Sequence, residues 1–204
     1  MTDWAPAQRL VLASASQHRR RLLLAAGLVF DVVPAAVDEA ASKRVLLSTG
    51  ADGPTIAVRL AAEKALLVSG KFPDALVIGA DQVLACAGQL FDKPGNLATA
   101  RGHLRQLRGR THHLHTGVVL AHEQAIVWQG IDSASLEMRP FSDDFLESYL
   151  LEAGAAIWDT VGAYQIEGIG IQLFASLSGD TSTIIGLTML PLLSELRARG
   201  VIRT

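Results

Sequence analysis

Val77-Ile-Gly-Ala-Asp-Gln-Val83 is an apolar run carrying a single carboxylate, Asp81, and Asp92-Lys93-Pro94 follows it a short way along the chain. A run of this kind predicts a buried β-strand. A buried strand that delivers an acid at its C-terminal end is a common way for an α/β protein to place a metal ligand or a general base. Read alone, Asp81 could equally cap a turn. A second charged cluster, Leu12-Ala-Ser-Ala-Ser-Gln-His-Arg-Arg-Arg-Leu22, favours the functional reading. There a short apolar strand runs into Ser14 and Ser16, and three arginines open an amphipathic helix. Hydroxyl residues before a helix can cap it and leave backbone N–H groups facing an anion. Arginine at a helix start is disfavoured by the macrodipole, so three together point to a negative ligand rather than to helix stability alone. The simpler reading of an Arg-Arg-Arg run is a solvated basic face. There is no Walker A motif, so a phosphate site here is not of the P-loop kind.

The 204 residues with 50% hydrophobic content are sized for one compact domain. A formal net charge of −2 offers no electrostatic case for binding nucleic acid or a membrane surface. No apolar run approaches the ~20 residues of a membrane span. Met1-Thr-Asp-Trp-Ala-Pro lacks the basic and apolar regions of a signal peptide. Cys86 is the single cysteine, which excludes an intrachain disulfide framework and suggests a cytoplasmic protein with Cys86 as a small buried residue. Hydrophobic periodicity predicts strands over 9–13, 28–35, 75–85, 114–121, 125–138 and 169–177. It predicts helices over 18–27, 54–69, 96–107, 142–153 and 187–199. Pro54 and Gly70 bracket the second helix, and Gly200 ends the fifth. Residues 40–53 read as a polar, Gly-containing loop, long enough to form a mobile rim of a site. Such alternation predicts an α/β architecture. In His112-His113-x-His115, positions 113 and 115 share one strand face and 112 points away. That argues against a three-His metal site and for sheet surface or edge. Trp128 and Trp158 read as packing residues.

From end to end the chain resembles the Maf family of nucleoside triphosphate pyrophosphatases. The resemblance rests on Leu12-Ala-Ser-x-Ser-x-x-Arg19 with Leu22-Leu23, Val37-Asp-Glu39, Leu60-Ala-x-Glu-Lys64-Ala65 and Ile78-Gly-Ala-Asp81. It continues through Asp92-Lys93-Pro94, Leu107-x-Gly109-x-Thr-His112, Thr116-Gly117-Val118, Gly162-Ala-Tyr164, Glu167-Gly168 and Gly186-Leu187. Any one of these motifs is weak; their common order over the chain is specific. What the resemblance implies is a mixed, twisted sheet with surrounding helices and a cleft between two lobes, the fold of inosine triphosphate pyrophosphatases, here as one domain over residues 1–204. It implies hydrolysis between the α- and β-phosphates of a nucleoside triphosphate, with Mg²⁺ or Mn²⁺ as cofactor. Under it, Glu39 and Asp81 are the acidic pair that holds the metal, and Asp81 activates the water. Ser14, Arg19, Lys64 and Lys93 form the phosphate grip, and the two lysines count among the catalytic residues because, with Arg19, they stabilise charge on the pyrophosphate leaving group. Each has a simpler reading alone: an exposed acid for Glu39, a solvated helix face for Lys64 beside Glu63, a cap for Ser14, a strand-to-turn junction for Lys93-Pro94.

His18, Gln82 and Glu167 stand at the positions that bear on base choice. Together they resemble the subgroup acting on 7-methyl-GTP, although His18 replaces the tryptophan found there. Glu167-Gly-x-Gly-Ile-x-Leu-Phe174 resembles that subgroup too. A carboxylate accepts from both N1–H and N2–H₂ of guanine and suits the mixed edges of thymine and uracil less well, a difference of ~1–3 kcal/mol. Gln17 and Thr188 each replace a proline of the family pattern. The implied role is removal of non-standard nucleotides. A dTTP/UTP enzyme of the same family and a nucleotide-binding regulator of cell division or septum formation are the alternatives, and a homodimer is left open.

Overall fold

The computed structural model describes residues 8–203; the Met1–Pro6 stretch read above for a leader lies outside them. In chain order the regular elements are β1 (Arg9–Leu12), α1 (Gln17–Ala25), β2 (Asp31–Val32), α2 (Glu39–Ser48), α3 (Gly53–Ser69), β3 (Ala75–Cys86) and β4 (Gln89–Phe91). There follow α4 (Leu97–Leu107), β5 (Thr111–His122), β6 (Ala125–Met138), α5 (Asp143–Ala153), β7 (Phe174–Ser178), α6 (Thr181–Ile185) and α7 (Met189–Ala198). The sheet is mixed, in the order β2-β1-β3-β5-β6-β7, with β4 beside β3. β1 runs parallel to both β2 and β3, with Val11 opposite Val77 and Leu12 opposite Ile78. β4 and β7 pair antiparallel, with β3 and β6 respectively. No described helix is long and apolar enough to cross a membrane.

Two compact units divide these residues. The first contains the chain up to Asp81, Thr116–Asp132 and the part from Gly186 onward; the second contains Gln82–His115 and Ser133–Ile185. In the first unit the strand residues alternate between two cores, as the period of two requires. Leu10, Leu12, Leu76, Ile78, Val118 and Leu120 face Leu23 of α1 and Leu192 and Leu196 of α7. Val11, Val77 and Val119 face Ala61, Ala65 and Val68 of α3. Burial on both faces explains why β1 and β3 read as continuous apolar runs. α3 lies unusually close to the strands. A Cβ on Gly79 would stand 2.1 Å from the Ala61 carbonyl oxygen, and one on Gly117 would stand 2.6 Å from the Val58 nitrogen. Only glycine at both positions lets the helix backbone settle there.

The second unit packs Leu84, Phe91, Leu104, Leu107, Leu114, Leu136, Tyr149 and Tyr164 around its own core. His112 belongs to that core: it is fully buried, and its Nε2 lies 2.8 Å from the Tyr164 hydroxyl. Its assignment to a sheet surface is therefore corrected. The face argument holds for its neighbours, since His113 and His115 stack on one another, ring planes 5° apart. Cys86 is buried, and Trp128 and Trp158 pack against the cores of the first and second units respectively.

Several predicted boundaries shift for identifiable reasons. Residues 40–53 are not a loop: α2 occupies most of them, started by Asp38, whose carboxylate accepts from the Ala41 N–H at 3.0 Å. None of its residues is buried, so it lacks the apolar stripe by which helices are found in a sequence. Strand 28–35 shrinks to β2, an edge strand followed at Pro34 by a residue with no N–H to pair. The first half of 169–177 is a 3-10 turn, where Gly170 packs its backbone onto Gln165, and only Phe174–Ser178 is strand. The short β4 and α6 had no periodic signal.

Two outcomes are expected. Gly79→Ala forces α3 off the sheet and lowers stability by ~1–3 kcal/mol, measurable by urea denaturation. Burial first, and the neighbouring His113 ring second, depress the His112 pKa to about 4. Above the ordinary value near 6.5 both folded and unfolded chains hold this ring neutral, and its contribution to stability is complete. As pH falls from there toward about 4 the unfolded chain takes the proton first, and roughly 3 kcal/mol is lost across that window. Denaturation at a series of pH values should show a shallower acid slope in His112→Phe than in wild type.

Candidate active site

Lys64 is the centre of the site in the first unit. It sits on α3, which Asp52 caps through the Thr55 N–H at 2.9 Å and Pro54 enters in its first turn. Because Gly79 and Gly117 seat this helix directly on the strands, the Lys64 ammonium reaches Asp81 Oδ1 at 2.5 Å. The same nitrogen lies 2.8 Å from Glu39 Oε1 at the start of α2. The Lys64 and Asp81 side chains are 8% and 10% exposed, against 51% for Glu39. One buried cation thus joins a buried acid to a half-exposed one. Ion pairs so placed are poor investments for stability alone, because desolvating both charges offsets most of their attraction. Their position argues for chemistry. The solvated-face reading of Lys64 does not hold.

Arg19, alone of the three arginines, is buried; Arg20 and Arg21 are exposed. Its Nη1 donates to Ser14 Oγ at 3.1 Å and its Nε to the Gly186 carbonyl at 2.9 Å. Burial lowers its pKa, and the nearby charges of Asp81 and Glu39 oppose that shift. A guanidinium remains cationic through such a shift. Ser14 does not cap α1. Ser16 does, accepting from the Arg19 N–H at 3.4 Å, while Ser14 Oγ holds Arg19 and accepts from the Ser16 N–H. The structure thus brings Ser14, Arg19, Glu39, Lys64 and Asp81 together. Glu39 has a further brace, because Ser42, one turn along α2, donates to Glu63 Oε2 on α3 at 2.6 Å.

Asp81 is not at the end of its strand: β3 continues to Cys86, so the acid projects from mid-strand. His18 is half-buried on α1, with Nδ1 2.7 Å from Arg21 Nη2. The remaining candidates belong to the second unit. Gln82 donates its amide Nε2 to the carbonyls of Thr183 at 2.8 Å and Ile184 at 3.1 Å. Lys93 is exposed in the loop after β4, and Glu167 is exposed ahead of the 3-10 turn at Ile169–Leu173. Main-chain groups such as the Gly186 carbonyl carry no residue-type signal, so sequence reading could not identify them as part of the site. Gly79 could have been noticed as a glycine inside a strand pattern, a sign of close backbone approach.

A family model described as Maf-like protein matches residues 9–199. Among curated proteins, the chain is 47% identical over 203 residues to a nucleoside triphosphate pyrophosphatase of Nitrobacter winogradskyi, covering 99% of each chain. It is 48% identical over 193 residues to a protein of the same name from Rhodospirillum rubrum, covering 95% of this chain and 96% of the other. It is 45% identical over 194 residues to a 7-methyl-GTP pyrophosphatase of Rhizobium etli, covering 95% of this chain and 98% of that one.

Proposed function

Given that the chain belongs to the Maf-like protein family, we propose that it hydrolyses nucleoside triphosphates to the monophosphate and pyrophosphate. The observation that carries this reading is the buried Lys64 ammonium shared by Asp81 and Glu39 beside the buried Arg19. The names of the Nitrobacter, Rhodospirillum and Rhizobium relatives support it. In the reaction a water oxygen bonds to the α-phosphorus, the bond from that phosphorus to the α–β bridging oxygen breaks, and pyrophosphate departs with the bridging oxygen. Asp81 orients the water and takes its proton. Lys64 holds the Asp81 carboxylate in one direction, so the base is aimed before substrate arrives. Arg19, with Ser14 behind it, binds phosphate oxygens and stabilises the charge that develops on the leaving group.

Glu39 and Asp81 supply hard carboxylate oxygens from two different elements, and both acids meet at the Lys64 ammonium. That donor set fits Mg²⁺ or Mn²⁺, which take one or two carboxylates and complete their shell with water and substrate phosphates. Such an ion would neutralise phosphate charge and draw the reacting groups into line. The substrate class we favour is 7-methyl-GTP or another modified purine nucleotide, supported by Gln82 and Glu167 and by the name of the Rhizobium relative. Gln82 and Glu167 would contact the base. The chain passes between its two units at four points, and we treat residues 1–204 as one functional domain acting on the cytoplasmic nucleotide pool.

Pyrophosphate release across a panel of ordinary and methylated triphosphates, with Mg²⁺ or Mn²⁺ present, tests the reading; absence of release from all of them overturns it. Asp81→Asn keeps the side-chain size and loses the proton acceptor, so kcat should fall ~10²–10⁴-fold with circular dichroism unchanged. Glu167→Gln should narrow the ratio of kcat/KM between guanine and pyrimidine triphosphates, since an amide offers one acceptor and one donor where guanine needs two acceptors. An unchanged ratio would remove Glu167 from base reading.

A further inference from the structure

Gly186 occupies a conformation that side chains rarely adopt, and it does so against Arg19, the one buried arginine among the described residues. Its φ is +121°, and a Cβ built on it would lie 3.4 Å from Arg19 Nε and 3.8 Å from Nη2. Its carbonyl accepts the Arg19 Nε–H at 2.9 Å, across 167 residues of sequence. The next residue, Leu187, is fully buried with Leu192 and Leu196, so the carbonyl is anchored to the core of the first unit rather than to a loose loop. From the other side Ser14 Oγ takes an Nη1 hydrogen at 3.1 Å.

We propose that Gly186 is a positioning residue for phosphate binding, whose main-chain carbonyl sets the orientation of the Arg19 guanidinium. The inference rests on the proposed role of Arg19 in gripping phosphate. A guanidinium has five N–H donors in a rigid plane. With Nε committed to Gly186, the edge it shares with Nη2 lies along the main chain. The pair of terminal nitrogens is then the end left for two parallel bonds to phosphate oxygens. Fixing that plane from the backbone means that no rotamer search accompanies substrate binding, which is preorganisation in the usual sense. Glycine is required for its φ rather than for space, since the Cβ distances are ordinary contacts. A residue with a side chain would rotate out of this region and carry the carbonyl away from Nε.

The test is a double-mutant cycle on triphosphate hydrolysis using the full chain with Mg²⁺. Gly186→Ala should reduce kcat/KM by up to about 10²-fold, alike for every base, as misplacement of a binding group does. In an Arg19→Ala background the same substitution should change kcat/KM less than about two-fold, because the group it positions is gone. Calorimetric binding of inorganic tripolyphosphate should weaken in Gly186→Ala and, in the Arg19→Ala background, be insensitive to it. If Gly186→Ala does not fold, replacing Leu187 by its α-hydroxy analogue converts the Gly186 carbonyl to a weaker ester acceptor and should give the same non-additive pattern. Additive losses, or a loss confined to one base, overturn the inference alone. An Arg19→Ala enzyme with wild-type kcat/KM overturns it together with the phosphate role of Arg19. A wild-type protein that releases pyrophosphate from no triphosphate instead overturns the proposed function.

Discussion

The contact between α3 and the strands beneath it governs what the first unit can do. Two glycines, Gly79 and Gly117, remove the side chains that would hold the helix away, and the helix backbone occupies the space they leave. That approach delivers the Lys64 ammonium to Asp81 on the neighbouring strand. A lysine on a helix at ordinary distance would have solvent as its easier partner, because desolvating an ammonium costs several kcal/mol unless it is fully paired. Here both conditions are met together. The close packing excludes water, and two carboxylates supply the charge.

Around this pair the structure assembles parts of different rigidity. Asp81 and Lys64 belong to elements with cores on one or both faces and are held by packing. Glu39 comes from α2, which buries none of its residues and meets α3 through the Lys64–Glu39 ion pair and the Ser42–Glu63 hydrogen bond. Polar contacts of that kind are individually weak where solvent reaches them. Within the proposed mechanism this difference is useful: the water-activating acid is fixed, and the second acid can adjust as metal and phosphates enter. Arg19 sides with the fixed group, tied by a core-anchored carbonyl and by Ser14.

Much of this was legible in the amino-acid order. The strand holding Asp81, helix α3 bracketed by Pro54 and Gly70, and the alternation of strands and helices all followed from apolar periodicity and turn residues. The ordered motifs pointed to the Maf family, to which the chain belongs. Each of these depends on spacing within a short segment, and short-range sterics and burial patterns are what a sequence encodes directly.

Other features depended on neighbours far along the chain. α2 was hidden because a helix without a buried face shows no apolar period, although Asp38 was present as a capping signal. His112 read as a sheet-surface residue until Tyr164, 52 positions away, closed over it and supplied a hydrogen bond. Arg19, Arg20 and Arg21 are chemically alike; the family motif marks Arg19 by position, and the returning Gly186 carbonyl and Ser14 supply the physical distinction. Residue order therefore determined which chemical groups the protein owns and the elements that carry them. The tertiary structure decided which of those groups lose their water and meet one another, because burial and pairing of charge are properties of packed surfaces and have no counterpart in a local stretch of chain.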